Sequence, residues 1–248
     1  MEVTCLVFAS KRVGEQLFSY LLETEYPPDR IVVGSEGDRA ILNIAEKAGI
    51  PAEVISPDVL QNLVETGRTF DWLLSLWCPT ILPASVLNLA QRRLNTHPGL
   101  VPACRGNDTA AWTIRKNLPA GVCLMEMDES VDTGDVYVQR EIAWEFPTRG
   151  QELFERLQEE VVDLFKTSWP AISRGEIQPT PQAKGGCTHT RKETNEDRVR
   201  SGTDAMSAGN LLSWALAHDF FPDWTAEVER EGRRYKVRVI VDEAETGF

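Results

Sequence analysis

The chain lacks several things, and each absence narrows what it can be. Its five cysteines (Cys5, Cys78, Cys104, Cys123, Cys187) include no C-x-x-C pair, which argues against a structural zinc site and against a disulfide framework. No metal site is expected. No apolar run approaches the length of a membrane span, so no membrane partner is expected either. The segment after the first apolar run, Ser10-Lys11-Arg12-Val13-Gly14, is not a G-x-G-x-x-G, and no Walker-type loop occurs; dinucleotide binding therefore has little support. The start, Met1-Glu2-Val3-Thr4-Cys5, has none of the basic, apolar and cleavable parts of a secretory leader, which points to a cytoplasmic protein. Basic residues are few beside acidic ones, 26 against 38, for a net charge of −12. Such a chain repels a nucleic acid as a whole, although a local basic pocket can still hold a small phosphorylated ligand.

What is present is an ordinary globular composition, 42% hydrophobic and 26% charged over 248 residues, enough for one large domain or one domain with an appendage. Strand-like and helix-like segments alternate through the first half. Val3 to Ala9, Arg30 to Ser35, Val54 to Ile55, Phe70 to Trp77 and Leu94 to His97 read as strands. Between them lie helical stretches: Val13 to Thr24, a segment through Ile41 and Ala48 capped at Gly49, one opened by Ser56-Pro57, and Pro83 to Ala90. This rhythm predicts an α/β fold with a doubly wound, mostly parallel sheet. Gly121 to Met127 and Val136 to Ile142 read as two further strands. A T-x-x-Q box at Thr148 to Gln151 announces a helix with Leu153, Leu157, Val161 and Phe165 on one face. Beyond Arg174 the character changes. Gly175 to Gly202 reads as polar and irregular, Asn210 to Ala217 as a short helix, and Glu227 to Arg230 with Arg233 to Ile240 as a hairpin around Glu231-Gly232. The expected division is 1–178 for a catalytic domain and 179–248 for a small C-terminal subdomain.

The chemistry concentrates between Arg93 and Asp135. Asn95-Thr96-His97-Pro98 ends a strand, and Val131-Asp132-Thr133-Gly134-Asp135 forms a loop further on. On a strand Asn95 and His97 project from one face, and in such sheets ligands gather at the carboxyl ends of the strands. An amide donor, an imidazole and a carboxylate are what acyl transfer to an amine needs: donors for an oxygen gaining negative charge, and a group that orients the imidazole and takes up a proton.

With these residues in place, the stretch from Phe70 to Ile142 resembles the formyltransferases that use 10-formyltetrahydrofolate. The resemblance is carried by the N-x-H-P of Asn95 to Pro98, Leu100-Val101-Pro102, Arg105-Gly106, Trp112, Gly121-Val122, Met127-Asp128 and Val131 to Asp135, in that order. Leu153 to Glu176, Thr188-His189-Thr190-Arg191-Lys192 and the terminal Gly232 to Arg238 are similar to the sugar N-formyltransferase branch. The resemblance implies a Rossmann-like formyltransferase fold, with 10-formyltetrahydrofolate as donor. It also implies an acceptor that is the primary amine of a nucleotide-linked deoxyamino sugar, dTDP-linked in the first instance. An amine on an amino-acid-derived natural product or metabolite is the alternative acceptor. A homodimer is left open. By resemblance, Asn95 and His97 stabilise the oxyanion, and Asp132 orients His97 and helps remove the amine proton. Trp77, Ile81, Leu82, Arg105, Met127 and Val131 would meet the folate. His189, Arg191 and Lys192 read as a solvated basic turn. Three stretches depart from the family pattern: Gly99 where serine is more frequent, Asn107-Asp108-Thr109-Ala110, and Trp77-Cys78-Pro79-Thr80.

Overall fold

The computed structural model describes residues 3 to 243. The apolar runs of the first half become β1 (Cys5–Ala9), β2 (Arg30–Val33), β3 (Ala52–Val54), β4 (Phe70–Leu76) and β5 (Ala90–His97), separated by α1 (Lys11–Leu22), α2 (Arg39–Ala48), α3 (Pro57–Glu65) and the short α4 (Ala84–Leu87). Every residue of β1 is buried because both faces of the sheet are covered. Cys5, Val7 and Ala9 pack with the apolar sides of α1 and α2, while Leu6 and Phe8 pack toward Leu63 of α3 and Val86 and Leu87 of α4. Local signals set the helix ends. Gly49 closes α2 at φ 70°, and the Ser56 hydroxyl accepts the Val59 amide at 3.2 Å to open α3.

Next come β6 (Arg105–Gly106), α5 (Thr109–Lys116), β7 (Ala120–Met125), β8 (Val136–Ile142) and the long α6 (Gly150–Ser173). The main sheet has seven strands in the order β3-β2-β1-β4-β5-β7-β8. The first five are mutually parallel, and β7 runs antiparallel to both its neighbours, β5 and β8. The mostly parallel, doubly wound sheet expected from the sequence is the one observed. The box opening α6 sits one residue later than expected: the Arg149 amide donates to Glu152 at 2.9 Å. The helix read over Pro83 to Ala90 shrinks to α4, because Ala90 already pairs with Phe70 as the first residue of β5.

The segment read as irregular holds more structure than its composition suggests. It contains β9 (Thr188–His189), which pairs in parallel with β6, then α7 (Arg191–Arg198) and β10 (Val199–Ser201). α7 has no apolar face; Thr190 caps it, its hydroxyl accepting the Glu193 amide at 3.2 Å while Glu193 accepts the Thr190 amide at 2.7 Å. α8 (Ala208–Ala217) follows, and β11 (Ala226–Arg230) with β12 (Arg233–Val237) forms the expected hairpin within a three-stranded sheet. Asp197 of α7 is the hub that joins this region to α5. Its carboxylate is bonded by Arg115 at 3.0 Å and His218 at 2.9 Å and also paired with Arg200, and its carbonyl accepts the Trp214 indole at 2.7 Å. Burial pushes the Asp197 carboxyl up, but the bonds from His218 and Arg115 outweigh burial and hold it at about 2. Burial also lowers His218 below the usual imidazole value, against the pull of Asp197. No described helix is long and apolar enough to cross a membrane.

Candidate active site

β5 changes partner along its length. Its first part runs parallel to β4, with Ser75 opposite Asn95, and its end runs antiparallel to β7, with Met125 opposite Asn95 and Cys123 opposite His97. At this change of pairing Asn95 and His97 project from the same face. His97 is buried, 3% exposed. Its Nε2–H donates to the Cys104 carbonyl at 3.1 Å, and Nδ1 lies 3.3 Å from Asp132 Oδ2. The contact with Cys104 is a hydrogen bond, and the contact with Asp132 is an ion pair when the ring is protonated. Asp132 is a hub of donors: the Asn95 amide reaches Oδ1 at 3.4 Å and the Gly106 backbone N–H reaches Oδ2 at 2.8 Å. The three residues named from the sequence are therefore brought into one network.

Gly99 sits against this network. A Cβ there would lie 2.5 Å from the Cys104 carbonyl oxygen and closer still to His97 Nε2. The His97–Cys104 bond occupies the space that a side chain at 99 would need.

These groups line a cavity of about 530 Å³. Trp77, Ile81, Leu82, Met127 and Val131 line it as well; Ile81, Leu82, Met127 and Val131 make up its apolar part, where Ile81 is 75% and Val131 40% exposed, whereas Trp77 packs against Phe154 with 5.9 Å between ring centroids. Arg105 does not line it. Its guanidinium donates to Gln182 Oε1 at 2.9 and 2.8 Å, and the Gln182 amide in turn donates to the carbonyls of Asp132 and Gly134 at 2.9 and 2.8 Å. Arg105 thus braces the Asp132 loop from behind. The lining also holds Lys11, Asp108, Phe154, Phe220 and Trp224, to which the sequence reading assigned no role, and Thr188 to Arg191: the turn read as solvated is part of the wall, with His189 buried and Arg191 paired with Asp108. The T-x-x-E box at Thr190 to Glu193 was the one local signal that this segment is ordered; nothing local brings Phe220 or Trp224 to the cavity. Four of the six non-glycine residues with positive φ (Lys11, Trp77, Asp108, Asp132) line this one cavity, and backbone strain gathers where function requires a set geometry. Burial raises the Asp108 carboxyl, partly offset by Arg191. Cys78, also in the lining, has its thiol pushed up by burial, which keeps it in the poorly nucleophilic form. A wider groove of about 730 Å³ between α3 and α4 carries Glu65 as its one charged residue and none of the Asn95 network.

Comparison with known proteins accords with this geometry. The family model described as formyl transferase matches residues 1–165. The dTDP-4-amino-4,6-dideoxyglucose formyltransferase of Mycobacterium tuberculosis is 28% identical over 188 residues, covering 75% of this chain and 79% of that one. In fold, the chain is similar to a 4-N formyltransferase from Francisella tularensis, with a TM-score of 0.84 at 16% identity over 98% of this chain and 99% of that one. It is similar too to the N-formyltransferase of Helicobacter canadensis, solved with folinic acid and dTDP-3-aminofucose, with a TM-score of 0.66 at 17% identity over 88% and 80%. With the family model spanning the whole Asn95–His97–Asp132 network, the chain belongs to the formyl transferase family.

Proposed function

We propose that this enzyme transfers the formyl group of 10-formyltetrahydrofolate to the primary amine of a nucleotide-linked deoxyamino sugar, with a dTDP sugar as the first candidate. The observation that carries the reading is the make-up of the cavity. One lining holds the Asn95 network together with an apolar group, Ile81, Leu82 and Val131, and an aromatic and cationic group, Phe220, Trp224, Lys11 and Arg191. The exposed apolar side chains Ile81 and Val131 suit a flat ring system that would cover them. The aromatic and cationic group suits a base, a sugar and phosphates. The Mycobacterium tuberculosis relative is named for a dTDP-amino sugar, and the Helicobacter canadensis enzyme was solved with one. Both substrates are water-soluble, and the reading assigns the reaction to the cytoplasm.

Bound against the apolar group, the folate supplies an electrophilic formyl carbon. Asn95 donates its amide N–H to the formyl oxygen as negative charge builds there, a preorganised contact worth on the order of a hundred-fold in rate. His97 acts differently from the sequence-based expectation of a direct bond to that oxygen. Both its nitrogens are engaged by the protein, by Cys104 and Asp132, so it anchors the carboxylate and sets its direction. Asp132, held from three sides, accepts the proton that the amine loses, directly or through one water. No thiol takes part, and transfer is direct: the amine nitrogen bonds to the formyl carbon, the bond from that carbon to N10 of the folate breaks, and N10 leaves with the proton that the amine gave up.

The test is mass spectrometry of the purified protein with 10-formyltetrahydrofolate and a panel of nucleotide-linked amino sugars, with amino-acid-derived amines as controls. Formylation of one nucleotide sugar, lost in Asp132→Asn, is the expected result. Formylation confined to the amino-acid-derived amines would overturn the acceptor assignment while leaving the chemistry intact.

A further inference from the structure

Lys11 opens α1 immediately behind β1 and lines the cavity. The preceding Ser10 amide donates to the Leu76 carbonyl at 3.3 Å, which sets Lys11 against the end of β4 and beside Trp77. Its backbone is left-handed at φ 58°, a conformation an L-residue with a long side chain adopts only under constraint. The constraint is Asp38. Its carboxylate accepts the Lys11 amide at 2.6 Å, the Ser10 hydroxyl at 2.9 Å and the Ser35 amide at 2.9 Å. A buried carboxylate is thus committed to holding this one joint in a strained shape.

Among the described residues Lys11 forms no ion pair, though its charge is felt by the Asp108 carboxylate. Arg191, the other lysine or arginine lining the cavity, is paired with Asp108 at 2.5 Å, whereas among the described residues no carboxylate pairs with Lys11. In a chain of net charge −12, an unpaired ammonium held at a cavity wall is a receptor for an anion. Lys11 also flanks a row of rings, Trp77 to Phe154 at 5.9 Å, Phe154 to Phe220 at 6.0 Å and Phe220 to Trp224 at 5.2 Å between centroids. A base and sugar laid along that row would bring the phosphates between them within reach of the wall where Lys11 stands.

We infer that Lys11 receives the diphosphate of the nucleotide-linked acceptor, an assignment that rests on the nucleotide-sugar reading above. The left-handed backbone is retained because it directs the side chain to that wall. The competing anions are the carboxylates at the tail of the folate, and the test separates the two.

Full-length wild type, Lys11→Met, Lys11→Arg and Lys11→Gly are titrated calorimetrically with dTDP and, in parallel, with folinic acid. Lys11→Met weakens dTDP by about ten- to a hundred-fold, the range for a hydrogen bond to a charged group, and leaves folinic acid unchanged. Lys11→Arg keeps most of the dTDP affinity. Lys11→Gly loses dTDP as Lys11→Met does, yet melts at or above the wild-type temperature, because glycine adopts the left-handed backbone without strain. Equal dTDP affinity in wild type and Lys11→Met overturns the assignment. So does a loss confined to folinic acid, which would give Lys11 to the donor. A wild type that binds neither dTDP nor UDP overturns the nucleotide-sugar reading itself, and the role of Lys11 with it.

Discussion

Replacing Gly99 by serine should disable this enzyme, although serine is the residue more often met at that point of the family pattern. The reason is geometric. Ordinary contact for a Cβ begins near 3.4 Å, and here a Cβ would stand 2.5 Å from the Cys104 carbonyl and nearer still to His97 Nε2, so something must move by about 1 Å. The backbone carbonyl is tied into its own turn, the Cys104 amide donating to Leu100 O at 3.0 Å. The ring is the part that gives. As it swings, it leaves Cys104, to which it is hydrogen-bonded, or moves away from Asp132, which it faces at 3.3 Å. A displacement of about 1 Å in a catalytic constellation costs about a hundred-fold in rate, and the overpacking costs about 1–3 kcal/mol of stability. Steady-state formylation with saturating 10-formyltetrahydrofolate, together with a thermal melt, reads both. The expected result for Gly99→Ser and Gly99→Ala is a kcat lower by about two orders of magnitude in a protein still folded at the assay temperature. A Gly99→Ser variant with wild-type kcat would refute the reasoning, and would mean that His97 does not depend on its bond to Cys104.

Further outcomes follow from the same structure. Asp132→Asn and Asn95→Ala should each lower kcat by about a hundred-fold or more while leaving circular dichroism unchanged; near-normal turnover in either would remove that residue from the proposed mechanism. Gly186 stands at φ 84° against the Pro102 carbonyl, with no room for a Cβ. Gly186→Ala should therefore loosen the neighbouring β6–β9 pairing and raise KM for the acceptor more than for the folate, which initial-rate kinetics with each substrate varied in turn would show. Acid should weaken the Asp197 hub in two stages. His218, lowered by burial, is protonated in the unfolded chain before the folded one, so stability declines as pH falls below the ordinary value of 6.5. The folded Asp197 carboxyl, at about 2, is depressed from 3.8. Its contribution of about 1–2 kcal/mol, after allowance for solvent screening, is complete above 3.8 and lost as pH falls toward 2. Urea melts followed by tryptophan fluorescence across pH 2–8 should show both declines, and Asp197→Asn should abolish the lower one.

The parallel half of the fold was legible because its strands are continuous apolar runs and its helices carry plain end signals, Gly49 and Ser56 among them. α5 escaped notice for the opposite reason to α7. Thr109 through Ile114 are all buried, so α5 shows no polar face to set up a helical period. α7 is polar all round and is held by its cap and by Asp197, which no hydrophobic pattern reports. At the site, the convergence of Asn95, His97 and Asp132 could be anticipated from their motifs and the resemblance those carry, but their partners could not. The Cys104 carbonyl that occupies His97 and the Gln182 that separates Arg105 from the cavity are contacts between distant or backbone groups. They exist only once β5, the Asp132 loop and the segment around Gln182 have been folded together.

One feature of the cavity bears on how such an enzyme changes over time. Asn95, His97 and Asp132 belong to the stretch matched by the family model, residues 1–165, whereas Thr188 to Arg191, Phe220 and Trp224 lie past it. α6, spanning Gly150–Ser173, straddles the boundary between the two stretches. Exchange or drift at Thr188 to Arg191, Phe220 and Trp224 remodels part of the cavity wall while Asn95, His97 and Asp132 stay in place, provided Gln182 is kept to hold the Asp132 loop. One inherited reaction can thereby be handed from amine to amine, with much of the change confined to the later part of the chain.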